Sequence, residues 1–320
     1  MTDKVLVTGS RGYLGGRVTR LLAESGFSLR VGNHREGLPT PKWLAEAEQV
    51  HLDLLADGDL EAVCRGVRQV VHLAAVNEIV CEKDPEQALL VNGLGTLKLL
   101  TAAMRAGVER FIYFSTAHVY GSPLAGIITE ETLPRPVHPY AITHRVAEDF
   151  VLAARQRGAI QGVVLRLSNG FGPPAEAHVD RWTLLVNDLC RQAVTDGKLV
   201  LRSSGLQWRD FISLTDVARA VKHFLQLPDA RLGEGLFNLG GECALRVIDL
   251  ASRIAARCYQ VFKMTTLIIK PDPRPDEAYE ALDYRIDRLK GTGFVLSGKM
   301  DEEIDDTLRF CRQVFGETAK

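Results

Sequence analysis

Val5-Leu6-Val7-Thr8-Gly9-Ser10-Arg11-Gly12-Tyr13-Leu14-Gly15 is the stretch that decides how this chain folds. A β-branched apolar run passes into three glycines at three-residue intervals and then into a helical pattern, which is the order strand, tight turn, helix. Each glycine has a physical use: a sharp turn at Gly9, close approach of the backbone to a phosphate at Gly12, and tight packing of helix on strand at Gly15. A helix beginning there offers free backbone N–H groups to an anion, so the turn is expected to cradle the pyrophosphate of a dinucleotide. Arg11, Tyr13 and Leu14 lie in the same turn and join the three glycines as candidate cofactor contacts.

Outward from this turn, short β-branched runs alternate with longer amphipathic segments. Strands are expected at 4–8, 28–32, 49–53, 69–73, 110–115 and 162–167, and helices at 15–25, 59–64, 85–105 and 140–157. The helical segments are long enough for crossovers between parallel strands. Right-handed crossovers then give an α/β Rossmann fold, a doubly wound parallel sheet, with a smaller C-terminal substrate-binding domain. The alternation fades after Phe171-Gly172-Pro173-Pro174. Residues 1–170 are therefore assigned to an NAD(P)-binding Rossmann domain, with 209–241 returning to it, and 171–320 to the substrate domain. In this later part, Asp210-Phe211-Ile212-Ser213 reads as a segment leading into a helix capped by Thr215, and Leu236-Phe237-Asn238-Leu239 reads as a strand. Lys270-Pro271-Asp272-Pro273-Arg274-Pro275-Asp276 is a loop, because three prolines block regular bonding. Residues 301–315 read as an amphipathic surface helix.

Composition narrows the class. A chain of 320 residues is about twice the usual size of roughly 150 residues per domain. Its 39 basic side chains nearly cancel 40 acidic ones, which argues against a nucleic-acid or polybasic membrane surface. No stretch approaches the ~18 consecutive apolar residues of a membrane span, and no signal segment precedes the first strand, so a soluble, cytoplasmic protein is expected. The six cysteines are scattered without metal-binding spacing and are expected to be buried free thiols; no metal is expected.

Cofactor choice turns on the end of the second strand. A carboxylate there usually holds the adenosine ribose of NAD. This chain has Gly32, then Asn33, His34 and Arg35. Loss of the carboxylate removes repulsion against a 2′-phosphate, and Arg11 and Arg35 are candidate partners for one. NADP or NAD is expected, with NADP favoured.

The Gly-x-x-Gly-x-x-Gly spacing is one of many ordered signals. Others are His51-Leu52-Asp53-Leu54, His72-Leu73-Ala74-Ala75, Asp84-Pro85, Asn92, Phe114-Ser115-Thr116-Ala117-His118-Val119-Tyr120-Gly121 and His138-Pro139-Tyr140. Arg166-Leu167-Ser168-Asn169 with Gly172-Pro173, Arg209-Asp210-Phe211-Ile212 and Arg274-Pro275-Asp276 follow. In this order they resemble the extended short-chain dehydrogenase/reductase superfamily, and within it the nucleotide-sugar epimerase/dehydratase family, over nearly the whole chain.

The resemblance implies roles. Asp53 and Leu54 would meet the adenine, while Leu73, Ala74, Ala75, Asn92 and Ser115 would flank the cofactor. Tyr140 would be the catalytic acid/base and Thr116 the hydroxyl that bonds the substrate oxygen, since hydride loss from an alcohol carbon needs proton removal from its hydroxyl. Asn169, Arg209 and Arg274 would hold the substrate's diphosphate and nucleotide, a task suited to guanidinium forks. Trp182 and Trp208 are either base-stacking or core residues, and Trp43 is assigned to packing.

Two departures stand out. The family lysine four residues after the tyrosine is His144 here. It shares the helix face of Tyr140 and is assigned to both catalysis and cofactor binding. Three readings stay open: a weakened oxidoreductase, an enzyme using imidazolium as charge partner, or a cofactor-binding protein without turnover. The Asp-Glu pair that family 4,6-dehydratases place after the Thr is Ala117-His118 here, which leaves C4 epimerisation or keto-sugar reduction. His118 is assigned to the substrate, as an extra acid/base or a structural group. The expected function is therefore an NAD(P)-dependent epimerase or reductase of a nucleotide-linked sugar, with a non-catalytic dinucleotide sensor or scaffold as the alternative. A third reading keeps the fold but takes an unrelated carbonyl or hydroxysteroid-type substrate. A homodimer through 85–105 and 140–157 is also implied by resemblance.

Overall fold

The computed structural model describes residues 3–34, 39–56 and 58–316. Seven strands form one parallel sheet in the order Leu236–Leu239, Gln161–Leu167, Arg110–Thr116, Gln69–His72, Val5–Thr8, Leu29–Asn33, Glu48–His51. From Val5–Thr8 the sheet grows one way through the next two strands of the chain and the other way through the later ones. The direction of winding therefore reverses between Val5–Thr8 and Gln69–His72, where a crevice opens beyond the strands' carboxyl ends.

Alternation along the strands builds two cores. Val5 and Val7 point into one apolar layer and Leu6 into the other; Ile112 and Phe114 oppose Phe111 and Tyr113 in the same way. Helices Tyr13–Glu24 and Leu214–Gln226 cover the first face, and Thr96–Arg105 and Pro139–Gln156 the second. Each fully buried Val or Leu here contributes about 2 kcal/mol relative to exposure. Strand ends fall within two residues of those expected from sequence.

Beyond Phe171 a third core forms from helices Leu185–Thr195, Val247–Phe262 and Met300–Phe315. A short sheet of Asn169–Phe171, Trp208–Ser213 and Ala244–Arg246 adjoins it. Trp182 packs in this core, stacked on Phe310 at 6.0 Å and edge-on to Phe315 at 5.0 Å.

Two local expectations need correction. The segment 85–105 is not one helix: Pro85–Ala88 passes into a π-helical turn at Leu89–Gly95 before Thr96–Arg105. The wider turn puts Asn92 where its side chain reaches Val76 and Thr143. Helix Leu214–Gln226 is capped by Ser213, whose Oγ accepts the Asp216 N–H at 3.0 Å, and not by Thr215, which donates to Glu303 instead.

Candidate active site

Sterics fix the glycine turn. Gly9 has φ +64, and a Cβ there would lie 2.9 Å from the Ala74 nitrogen. At Gly15 a Cβ would lie 2.0 Å from the Gly9 carbonyl oxygen, so no side chain fits. Gly12 is the N-cap of Tyr13–Glu24; no side chain caps that terminus and no acid lies in its first turn. The helix thus opens on the crevice with its N–H donors available to an anion.

A directional hydrogen-bond chain ties the turn to the neighbouring strand. Thr8 Oγ1 accepts from the Leu73 and Ala74 N–H groups, each at 3.2 Å, and lies 2.7 Å from His72 Nδ1. Thr96 donates to the Asn92 carbonyl at 2.6 Å and therefore accepts from His72 Nε2, 3.0 Å away. That leaves His72 Nδ1 to accept the Thr8 proton, a neutral ring, and burial indeed pushes its pKa down to about 3. Leu73, Ala74 and Ala75 are thereby held as one wall of the crevice.

One cleft of about 100 Å³ is lined by Leu14, Leu73, Ala74, Ala75, Ser115, Thr116, Tyr140, His144 and Ser168, together with His72 and Tyr113. The glycine turn, the catalytic candidates and the strand ends thus meet in one place. Pro139 opens the helix that carries Tyr140 and His144, with His138 as its cap. Four residues apart, the Tyr140 and His144 rings approach to 4.4 Å, edge to face. His144 Nδ1 lies 2.7 Å from the Tyr113 hydroxyl. Burial pushes the His144 pKa down to about 4, against a smaller opposing pull from the Phe114 backbone. Burial, then the Glu78 charge, pushes the Tyr140 phenol up. Thr116 accepts the His118 N–H at 3.2 Å, leaving its own proton to donate.

Two buried polar atoms on this cleft lack a partner among the described residues: Ser115 Oγ and His144 Nε2. Such atoms are costly unless something else satisfies them. Together with a helix N-terminus that no side chain or acid caps, they fit a dinucleotide lying from that terminus to Tyr140.

Other candidates sit differently. Arg11 is held by Glu176 in a bidentate pair, Nε to Oε2 at 2.9 Å and Nη2 to Oε1 at 2.6 Å, so the expected contact with a 2′-phosphate is not made from this arrangement. Arg35, its proposed companion, lies outside the described residues. Asn33 engages Ser10 at 2.9 Å. Asn92 stands behind the cleft: it is buried, its Oδ1 taken by the Val76 N–H at 2.9 Å, its Nδ2 by Thr143 at 3.2 Å, and Thr143 in turn bonds the Tyr140 carbonyl at 3.0 Å. It braces the Tyr140 helix and is not among the residues that line the cleft. The Tyr13 hydroxyl donates to Gly172 at 2.8 Å, which leaves its backbone N–H for the turn. Asp53 is exposed, and its Oδ1 accepts the Leu55 N–H at 2.8 Å, which holds its pKa below the usual carboxylate value; Leu54 beside it is buried.

At the sugar end, Arg209 does not pair with Asp210. That carboxylate accepts instead from Ser168 Oγ at 2.6 Å and from the Gly241 and Cys243 N–H groups. Arg209 keeps one long contact, 3.5 Å to Gln207, and no carboxylate partner among the described residues, so burial lowers its pKa unopposed. Asn169 donates to the Asp210 carbonyl at 2.8 Å. Arg274 is exposed on the proline loop, which Glu277 ties to Ser204 at 2.6 Å and Tyr279 to Gln207 at 3.4 Å. His118 lies 5.5 Å from His138, ring to ring; burial, then His138 and Arg209, push its pKa down to about 4. Sequence reasoning missed Tyr113 and Glu176. Tyr113 was findable, since a phenol within a buried strand needs a hydrogen-bond partner.

This geometry matches a known pattern, and the profile of the NAD dependent epimerase/dehydratase family covers residues 5–240. The chain belongs to that family. It is 31% identical over 258 residues to a UDP-glucose 4-epimerase of Rhizobium leguminosarum bv. trifolii, spanning 73% of this chain and 77% of that one. A dTDP-glucose 4,6-dehydratase of Streptomyces niveus is 27% identical over 302 residues, 90% of this chain and 85% of the relative. The structure of MoeE5 in complex with UDP-glucose and NAD superposes with a TM-score of 0.78 at 25% identity, covering 97% of this chain and 99% of that one. An extended short-chain dehydrogenase fold and membership of an NAD-dependent enzyme family are thereby established. Among the described residues no group of His, Cys, Asp and Glu is placed to hold a metal, and no helix is long and apolar enough to cross a membrane.

Proposed function

We propose that the chain is an NAD(P)-dependent oxidoreductase or epimerase of a nucleotide-linked sugar, acting at the sugar's C4 by epimerisation or keto reduction. The observation that carries this reading is the convergence of Tyr140, Thr116, His144 and the glycine-turn wall on one cleft. Bound there, a nicotinamide dinucleotide supplies the hydride donor or acceptor. Thr116 holds the reacting oxygen by donating its free proton, and Tyr140 gives a proton to that oxygen or takes one from it. Because His144 is neutral near pH 7, Tyr140 rests as a phenol, a better acid than base, which favours the keto-reducing direction of proton flow. Ala117 and His118 supply no Asp-Glu pair for water elimination, which supports the two chosen reactions over dehydration.

The 171–320 part is proposed to hold the sugar nucleotide, with Asn169, Arg209 and Arg274 at the diphosphate. Support comes from Arg209, a partly buried guanidinium with no acidic partner among the described residues, whose pKa burial lowers. The proposed cofactor contacts are Gly9, Gly12, Tyr13, Leu14, Gly15, Asp53, Leu73, Ala74, Ala75, Ser115 and His144. The case for NADP over NAD is reduced by the Arg11–Glu176 pair and rests on Asn33, His34 and Arg35. A homodimer is proposed through the segments 85–105 and 140–157, where Leu89, Leu90, Leu94, Ile142 and Phe150 are exposed.

The test is turnover of nucleotide-linked hexoses and their 4-keto forms with NAD(P)(H), followed by NMR of the sugar. A C4 epimer or a reduced sugar is expected, and His144→Lys should raise the rate and shift its pH profile. Dinucleotide binding with no conversion in either variant would replace this reading with the sensor or scaffold. Conversion of a neutral carbonyl compound alone would replace it with the unrelated-substrate reading.

A further inference from the structure

Tyr113 and His144 form a pair that the proposed chemistry has not used. Tyr113 lies on the buried strand Arg110–Thr116, and its phenol oxygen is 2.7 Å from His144 Nδ1. Both residues are almost wholly inaccessible. A phenol has one proton to donate, and among the described residues this one has a single acceptor within reach, Nδ1. A neutral imidazole that accepts at Nδ1 carries its proton on Nε2. His144 lines the cleft, and its Nε2 has no hydrogen-bond partner among the described residues; the same is true of Ser115 Oγ, whose residue lines the same cleft. A buried N–H and a buried hydroxyl on one cleft suit the paired hydroxyls of a ribose.

We infer that Tyr113 is a positioning residue: its phenol locks His144 into the Nε2–H tautomer, so that the imidazole presents a neutral donor to a ribose hydroxyl of the dinucleotide. This rests on the functional reading above and adds to it. Without Tyr113 the imidazole has two tautomers of similar energy, and only one offers a donor to the cleft. Of the groups facing His144, His72 is neutral, Tyr140 contributes a ring edge, and the Phe114 backbone favours a ring N–H through a weak hydrogen bond without fixing which nitrogen carries it.

The experiment has two arms. In dinucleotide-free protein at pH 7.5, ¹⁵N-imidazole NMR should show His144 with a protonated Nε2 and an unprotonated Nδ1. A protonated Nδ1, or an imidazolium, overturns the inference. In the second arm, Tyr113→Phe should weaken NADH binding, followed by fluorescence titration, about fivefold, the size of one neutral hydrogen bond. The same substitution in a His144→Lys background should cost less than about twofold, because a lysine has no tautomer to lock. An equal loss in both backgrounds marks Tyr113 as structural only and overturns the inference. Absence of NADH binding to the unaltered chain overturns the functional reading as a whole, whereas the wrong tautomer overturns this step alone.

Discussion

The two ends of the cleft are built on different principles. At the glycine turn the determining contacts are steric and belong to the backbone: Gly9 and Gly15 are fixed by what a Cβ would strike. At the tyrosine corner they are polar and belong to side chains: a neutral imidazole, a phenol held uncharged and two buried atoms without partners. The first end tolerates no volume and reads charge only through helix N–H groups. The second tolerates small changes of volume but depends on where single protons reside.

The largest effect should come from the proton-bearing end. Tyr140→Phe removes the proposed acid/base while leaving the ring, so nucleotide-sugar turnover is expected to fall about a thousandfold, or about 4 kcal/mol. NADH affinity and the urea midpoint should hold, because Tyr140 does not support the turn. A loss of both would mean that the two ends are one cooperative unit.

The reverse pattern is expected from Gly15→Ala. A Cβ placed 2.0 Å from the Gly9 oxygen and 2.8 Å from its carbon meets backbone, which cannot swing aside. Overpacking of this kind costs about 3 kcal/mol, read as a lower urea midpoint and lost NADH binding. Gly58→Ala, where a Cβ meets nothing within 4 Å, is the control and should change stability by less than about 0.5 kcal/mol.

The same contrast explains what could be read from sequence. Steric requirements leave a mark in residue type, because only glycine satisfies them, and period-two alternation of Val5, Leu6 and Val7 marks a sheet covered on both faces. Turn, sheet and crossovers were therefore legible before any coordinates. The Tyr140–His144 pair was legible through helical spacing and family resemblance. What remained hidden were pairings between distant segments. Glu176 reaches Arg11 across 165 positions, and Tyr113 reaches His144 across 31. Nothing local at Arg11 says that its guanidinium is already occupied. The π-helical turn at Leu89–Gly95 was equally hidden, since the bonds that Asn92 makes from it go to Val76 and Thr143, 16 and 51 positions away.

A smaller effect follows from the buried histidines. His72 and His144 have folded pKa values of about 3 and about 4, below the ~6.5 of an unfolded chain. Between these values and 6.5 the unfolded state binds more protons, so stability is complete above about pH 6.5 and is lost as pH falls through the window. From pH 7.5 to 6 each ring should cost about 0.8 kcal/mol, measured by urea titration at both pH values. His144→Gln should remove its own share of the slope and leave those of His72 and His118, whose pKa is also about 4. An unchanged slope would mean that His144 carries a proton in the folded state, which would return cationic help to Tyr140.

The smallest effect lies at the outer rim, where neither principle applies in full. Arg274 is exposed, and the charge it meets is that of Glu277 in solvent, so its removal should change stability by less than about 0.5 kcal/mol. It touches neither the glycine turn nor Tyr140, so NADH binding should also hold. A diphosphate would meet it in solvent, where a charge-assisted contact is screened to about 1 kcal/mol. Arg274→Ala is thus expected to weaken binding of a nucleotide-linked sugar about fivefold in calorimetry, with a shallower dependence on salt. Arg209, partly buried and with no acidic partner among the described residues, should show the larger loss on the same substitution, because its contact is more desolvated. If Arg274→Ala is silent and Arg209→Ala is not, the diphosphate lies inside the cleft. If both are silent, the substrate carries no diphosphate, and the proposed substrate class falls while the dinucleotide end of the site stands.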